Sequence, residues 1–390
     1  VIAIPDPVRA ILEKLEAAGF ETWCVGGAIR DSLLGGAQSD VDLATAARPE
    51  EVRRLFKRTV PVGIEHGTVG VLDGQNVLHE VTTFRRDVRT DGRHAEVEFG
   101  VSLEEDLARR DFTINAIAWH PLRDEWRDPF EGRADLRAGV IRAVGDPAAR
   151  FREDHLRILR ALRFAARFGF TIEPATWQAA VASAGDTQHL SAERVREEWW
   201  KGARSAADHR AMLALWQASG VADVWLGGAE AVVADPPALT PAICLDPVLL
   251  LAAWRRPVEA ILRRLRASGA EISRGRGLDR GPTAPEADDP VAVRRWLATV
   301  GTAADDLMTL ADARPEAASW IETARGVRQR GEATSRGDLA ISGDDLVAAG
   351  LVTPGPELGR LLGRLLEAVL VEPASNTPSA LLALARAMSR

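Results

Sequence analysis

The chain has 390 residues, 46% hydrophobic and 27% charged, a balance that fits a globular protein of about two to four domains and excludes a disordered one. Its formal net charge of −7 would by itself speak against a nucleic-acid partner. The charge is unevenly spread, however: residues 1–140 hold 18 basic against 25 acidic side chains, whereas 141–205 hold 11 against 8, a local positive segment open to an anionic partner.

Taken in order, the pattern predicts a helix over Pro7–Ala18, an apolar strand over Thr22–Val25, a tight turn at Gly26-Gly27 and a helix from Ala28 to Leu34. A second strand is expected at Ser39–Leu43, a helix at Pro49–Phe56, strands at Gly67–Leu72, Val77–Thr83 and Glu96–Phe99, a helix at Leu103–Ala108 and a strand at Thr113–Trp119. That is an α+β pattern without regular βαβ alternation. Beyond Ala148 the periodicity is helical: 150–168, 173–182, 193–203, 209–218, 247–267, 290–300 and 355–371. Segments 273–289 and 326–337, rich in Gly and charge, are expected to be linkers or loops. Cys24 and Cys244 sit in apolar stretches and are expected as buried thiols. Val1–Pro7 has no basic segment leading into an apolar one, and Pro241, Asp246 and Pro247 break the most apolar window, so a cytoplasmic protein with no membrane span is expected.

Four stretches carry chemistry. Asp40 and Asp42 flank Val41, and on a strand they project to one face, where two carboxylates need a cation between them; Mg²⁺ with substrate phosphates suits that need, and a solvated turn is the plainer alternative. Gly26 and Gly27 allow backbone N–H groups near a phosphate, with Arg30 in reach of the same oxygens. Glu80 is either a third carboxylate on a neighbouring strand or a strand-edge salt bridge. Arg109 and Arg110 offer cations for phosphates, and Asp111 an acceptor for a ribose hydroxyl, with a surface charge cluster as the plainer alternative. In 150–168, Asp154, Arg157, Arg160, Arg163 and Arg167 fall on one side of the expected helix. An amphipathic helix with a solvated charged face is the plainer reading; as a base reader, a carboxylate and a guanidinium together would accept C and A, which pair an amino donor with a ring acceptor, and would reject U and G.

These stretches resemble the class II tRNA nucleotidyltransferases, which comprise CCA-adding enzymes and bacterial poly(A) polymerases. Five motifs stand in order: GG-x-x-RD with D-x-D at 26–42, RRD at 109–111, D-x-x-x-G-x-x-DL at 128–136, E-D-x-x-R at 153–157 and the Glu/Arg-rich SAERVREE at 191–198. The resemblance implies an α+β nucleotidyltransferase head on a small, largely antiparallel sheet (1–140). An all-α neck that reads the base (141–205), a body (206–325) and a tail (326–390) that bind tRNA would follow. It gives Asp40 and Asp42 the Mg²⁺, two ions, and gives Gly27, Arg30 and Arg110 the nucleotide. Asp154 and Arg157 would take the base, with Arg160 and Arg163 completing the pocket and Gly26, Glu80, Arg109, Asp111 and Glu153 as further candidates. The implied activity is template-independent addition of C, C and A to the tRNA 3′ end from CTP and ATP, by a monomer or dimer. The stretch 60–71 is similar to the CCA-adding type, lacking the Gly-Arg-Arg-Phe run of poly(A) polymerases, and 85–99 is similar to the flexible loop of full CCA-adding enzymes. CC-only or A-only addition, poly(A) synthesis and a non-catalytic RNA-binding role on the same scaffold are the rivals, and intact Asp40 and Asp42 speak against the last.

Overall fold

The structure, a computed structural model, describes residues 4–36, 41–90, 95–314 and 319–388. The chain divides into two compact units, Val1–Gly228 and Ala229–Arg390.

The first unit opens with α1 (Asp6–Ala17), followed by β1 (Thr22–Val25), α2 (Gly27–Leu33), β2 (Asp42–Thr45) and α3 (Pro49–Leu55). Next come β3 (Thr59–Pro61), β4 (Thr68–Leu72), β5 (Leu78–Thr83) and an antiparallel pair of β6 (Arg85–Thr90) and β7 (Ala95–Phe99). Then follow α4 (Leu103–Ala108), β8 (Ala118–His120), β9 (Glu125–Arg127) and α5 (Gly132–Ala138). The sheet order is β3-β4-β5-β2-β1-β8-β9, with every pairing antiparallel except β2 with β5. Period-two alternation divides its residues between two cores. Cys24, Leu43, Val69, Val71 and Val81 pack with Leu12 and Leu15 of α1 and Val52 of α3. Trp23, Val25 and Ala44 pack on the other face with Phe84, Leu103 and Leu107. Cys24 is a buried free thiol, and burial pushes its pKa up to about 12. The expected loop at 85–99 holds the antiparallel pair β6–β7, and the residues between the two strands, 91–94, lie outside the described residues.

The 128–136 motif has a local explanation. Asp128 accepts from the Gly132 and Arg133 N–H groups (2.7 and 3.0 Å), fixing the start of α5. Any Cβ on Gly132 would stand 2.1 Å from the Thr113 carbonyl oxygen. Asp135 closes the unit by accepting from the Thr113 hydroxyl (2.7 Å). Those contacts bend the expected Thr113–Trp119 strand: Thr113–Asn115 is a 3₁₀ turn, and strand geometry begins at Ala118.

Helices complete the unit: α6 (Pro147–Glu153), α7 (Leu156–Phe168), α8 (Pro174–Ala182), α9 (Ala192–Ser205), α10 (His209–Ala218) and α11 (Val221–Trp225). The helix expected over 150–168 is therefore broken. Asp154 is extended (φ −153°, ψ 105°), and its carboxylate takes the Leu156 N–H (3.0 Å), so the chain restarts there as an N-terminal turn.

The second unit is helical among its described residues. The expected helix 247–267 divides into Pro247–Trp254 and Val258–Arg264, because Pro257 cannot continue the first segment. Asp279, far along the chain, takes the Val258 and Glu259 N–H groups (2.9 and 2.7 Å). The expected linker 273–289 begins inside a helix, Gly269–Arg280, started by a reciprocal Ser268/Glu271 capping box. Its Gly275 is a contact glycine: a Cβ there would sit 2.8 Å from Leu262. Likewise 326–329 belongs to the helix Trp320–Gln329. Among the described residues no helix is long and apolar enough to cross a membrane.

Candidate active site

A cleft of about 670 Å³ lies between the open part of the sheet and α7, lined by ten cationic side chains and four carboxylates among the described residues. Its floor follows from strand register. Leu43 pairs with Val81 across the parallel β2–β5 pair, both fully buried, so Asp42 and Glu80, one residue earlier, project together to the opposite face and into the cleft. Gly26 abuts Asp42. It holds φ 81°, and a Cβ there would lie 3.3 Å from Asp42 Oδ2 and 3.4 Å from Arg110 Nη1. Asp40 lies outside the described residues. Within them no three His, Cys, Asp or Glu side chains form a metal-binding group.

The cations are anchored from behind. Asp106, only 1% exposed, accepts from Arg109 Nη2 (2.8 Å) and Arg110 Nη2 (3.2 Å). Burial pushes the Asp106 carboxyl up, but the two guanidiniums outweigh it and hold it below the usual range. Sequence reasoning missed Asp106, although its spacing of three and four residues from the two arginines was the available signal. Arg30 is buried: it donates to Asp31 (2.8 Å) and Asn115 Oδ1 (2.6 Å) and lies over the rings of Phe164 and Phe168. Asn115, also missed, donates its amide to Asp111 (2.9 Å).

Asp111, the expected ribose acceptor, is occupied within the protein. Its Oδ1 takes the Phe112 N–H (2.8 Å) and the Asn115 amide, and its Oδ2 takes Nε and Nη2 of Arg160 (2.7 Å each). Burial raises this carboxyl, yet the Arg160 charge and the hydrogen bonds lower it to about 2, from 3.8. A depressed pKa stabilises the fold above the unfolded value, and that contribution is lost as pH falls from about 4 through about 2. Asp111→Asn should therefore destabilise the protein at pH 7 by about 2 kcal/mol, and the gap to wild type should close near pH 2. Denaturant titrations at both pH values measure this; an equal gap at each would mean the charge plays no part.

Above the floor, α6 and α7 face the cleft. Asp154 sits at their break, its Oδ2 taken by Arg194 Nη2 of α9 (2.6 Å). Arg157 donates to Glu153 (2.7 Å), to the Arg150 carbonyl oxygen (3.3 Å) and to the Arg109 carbonyl oxygen (3.0 Å). Arg150 donates to the Ala108 carbonyl oxygen (3.0 Å). Arg163 is buried against Glu198 of α9, from the 191–198 motif, and lies over Phe164. Arg167 donates to Asp31 of α2 (3.0 Å). Among the described residues, every candidate except Glu153 lines this cleft, and Glu153 stands behind it holding Arg157. Arg194 is a further lining residue that sequence reasoning did not single out.

Comparison with known proteins agrees with this geometry. Residues 22–142 match the Poly A polymerase head domain, 169–223 the RNA and SrmB-binding site of polymerase A, and 310–385 the tRNA nucleotidyltransferase domain 2. The CCA-adding enzyme of Lactiplantibacillus plantarum is 37% identical over 97% of this chain and 95% of its own length. That of Leuconostoc mesenteroides is 38% identical over 96% and 94%. The crystal structure of the Bacillus stearothermophilus CCA-adding enzyme in complex with CTP superposes with a TM-score of 0.80 at 32% identity, covering 99% of this chain and 97% of that one. The Thermotoga maritima CCA-adding enzyme complexed with tRNA shares the fold, with a TM-score of 0.69 at 20% identity over 100% and 97% of the two chains. With motifs, fold and cleft in agreement, the chain belongs to the CCA-adding enzymes, a family of tRNA nucleotidyltransferases.

Proposed function

We propose that this protein adds C, C and A to the 3′ end of tRNA from CTP and ATP, without a nucleic-acid template and with release of pyrophosphate. The observation that carries this is the meeting, in one cleft, of the Asp42 and Glu80 carboxylates, the Arg109 and Arg110 guanidiniums and the Asp154/Arg157 pair. Arg109 and Arg110 bind the triphosphate, held at their stations by Asp106. Gly26 and Gly27 leave room for it, and Arg30, Arg160 and Arg163 complete the wall.

The base is read by Asp154 and Arg157. Arg157 spends three N–H groups on Glu153, Arg150 and Arg109, leaving Nε–H and one Nη2–H for a ring acceptor. Asp154 accepts the amino group that C carries at C4 and A at C6, where U and G carry a carbonyl oxygen. The floor fits Mg²⁺: Asp42 and Glu80 offer hard oxygen donors, with Asp40 two residues from Asp42 in sequence, and two ions are the expected complement. Bound there, a divalent ion would neutralise triphosphate charge and lower the pKa of the primer 3′-hydroxyl. In this reading the neck, 141–205, reads the base, the parts 206–325 and 326–390 hold the tRNA, and the protein acts in the cytoplasm.

The test is the product ladder on tRNA ending at its discriminator base. Two additions with CTP alone, none with ATP alone and three with both are expected. A halt after two with both nucleotides would make this a CC-adding enzyme. Long adenylate runs on unstructured RNA would make it a poly(A) polymerase.

A further inference from the structure

Beside the carboxylates, on the same face of the same sheet, lies apolar surface that no role yet uses. Val60, Val62 and Leu78 are 37%, 39% and 37% exposed. Register puts them together. Val60 pairs with Gly70, and Gly70 pairs with Glu80. Cross-strand partners share a face, so Val60, the Gly70 Cα and Glu80 all look towards the cleft side, whereas Val69, Val71 and Val81 look into the core. Gly70 is the reason the patch is flat: a Cβ there would meet Leu78 Cδ1 at 2.5 Å and Val62 Cγ2 at 2.8 Å, so these two side chains close over it. The result is a shelf that begins two residues from Glu80 and runs to the edge strand β3.

The proposed function fixes what such a shelf faces. In-line phosphoryl transfer sets the attacking hydroxyl and the departing pyrophosphate on opposite sides of the α-phosphorus. The groups that would hold the pyrophosphate side, Gly26, Arg30 and Arg110, lie on the β1 flank of Asp42. The attacking end must then approach from the β5 flank, where the shelf is. Its chemistry suits a nucleobase face and not a phosphate: residues 59–63 carry no charge, and Glu80 beside them repels anions.

Resting on the proposed function, we infer that Val60, Val62 and Leu78 seat the 3′-terminal nucleotide of the RNA being extended, by apolar contact that tolerates any base. This explains how successive ends of different sequence, the discriminator base and then cytosine, are presented to one set of carboxylates.

The experiment uses the full chain. A tRNA ending in 4-thiouridine at its discriminator base is photo-crosslinked to wild type. The adduct should map to residues 59–63 or 77–80, and an adduct confined elsewhere overturns the shelf. Independently, the Val62→Asp/Leu78→Asp double variant should raise the KM for tRNA by about tenfold, with directly measured CTP affinity and melting midpoint unchanged. An unchanged KM for tRNA overturns it too. Extension of tRNA by wild type tests the proposed function alone, so the two readings fail separately.

Discussion

Asp42→Asn should leave the protein folded and competent to bind tRNA while incorporation of both nucleotides falls by roughly a thousandfold or more, the loss of several kcal/mol of transition-state stabilisation. The side chain lines the cleft and is not one of the buried core residues, and asparagine keeps its shape beside Gly26 and Arg110. What the substitution removes is a negative charge on a cleft floor shared with Glu80, proposed to face the triphosphate. Single-turnover incorporation from labelled CTP and ATP, beside a tRNA-binding isotherm and a melting curve, measures the split. Turnover within about tenfold of wild type would remove Asp42 from the chemistry.

Asp154→Ala should separate base selection from catalysis. The variant keeps the floor carboxylates and the Arg109/Arg110 pair but loses the acceptor for the amino group of C and A, while Arg157 can still donate to ring nitrogens and carbonyl oxygens. Preference for C over U, and for A over G, should shrink by about five- to two-hundredfold, the worth of one good bidentate base contact. The same carboxylate caps the start of α7 through Leu156, so alanine also costs about 1 kcal/mol of stability. Asp154→Asn controls for that: it can keep the cap, yet its amide can donate to a carbonyl, which favours U and G. If both variants kept the C and A preference at normal rates, the Asp154/Arg157 pair would be an ordinary charged surface.

Legibility in the sequence followed the range of the interactions concerned. Strands with period-two alternation, such as Thr68–Leu72 and Leu78–Thr83, stand within a residue of where the pattern set them, because side-chain alternation is a local property. Cleft residues that belong to motifs, Gly26, Arg110, Asp154 and Arg157 among them, were visible for the same reason. What escaped were the residues that hold them. Asn115 accepts from Arg30 across 85 positions and Arg194 reaches Asp154 across 40, separations that no local pattern spans. Arg160 was legible as a cleft residue, but its bond to Asp111 needed the fold. Glycines misled in the second unit: Gly275 looks like a helix breaker in sequence, whereas its missing side chain lets one helix approach Leu262 of another.

The segment 108–111 is gripped three times by the helices above it: Arg150 on the Ala108 carbonyl, Arg157 on the Arg109 carbonyl and Arg160 on the Asp111 carboxylate. Mechanically this is a three-point mount. The arginines proposed to face the triphosphate and the pair proposed to face the base are bolted to one frame, and neither set can tilt against the other without breaking several bonds at once. On the proposed function, the pocket would act as a fixed gauge between phosphate and base edge.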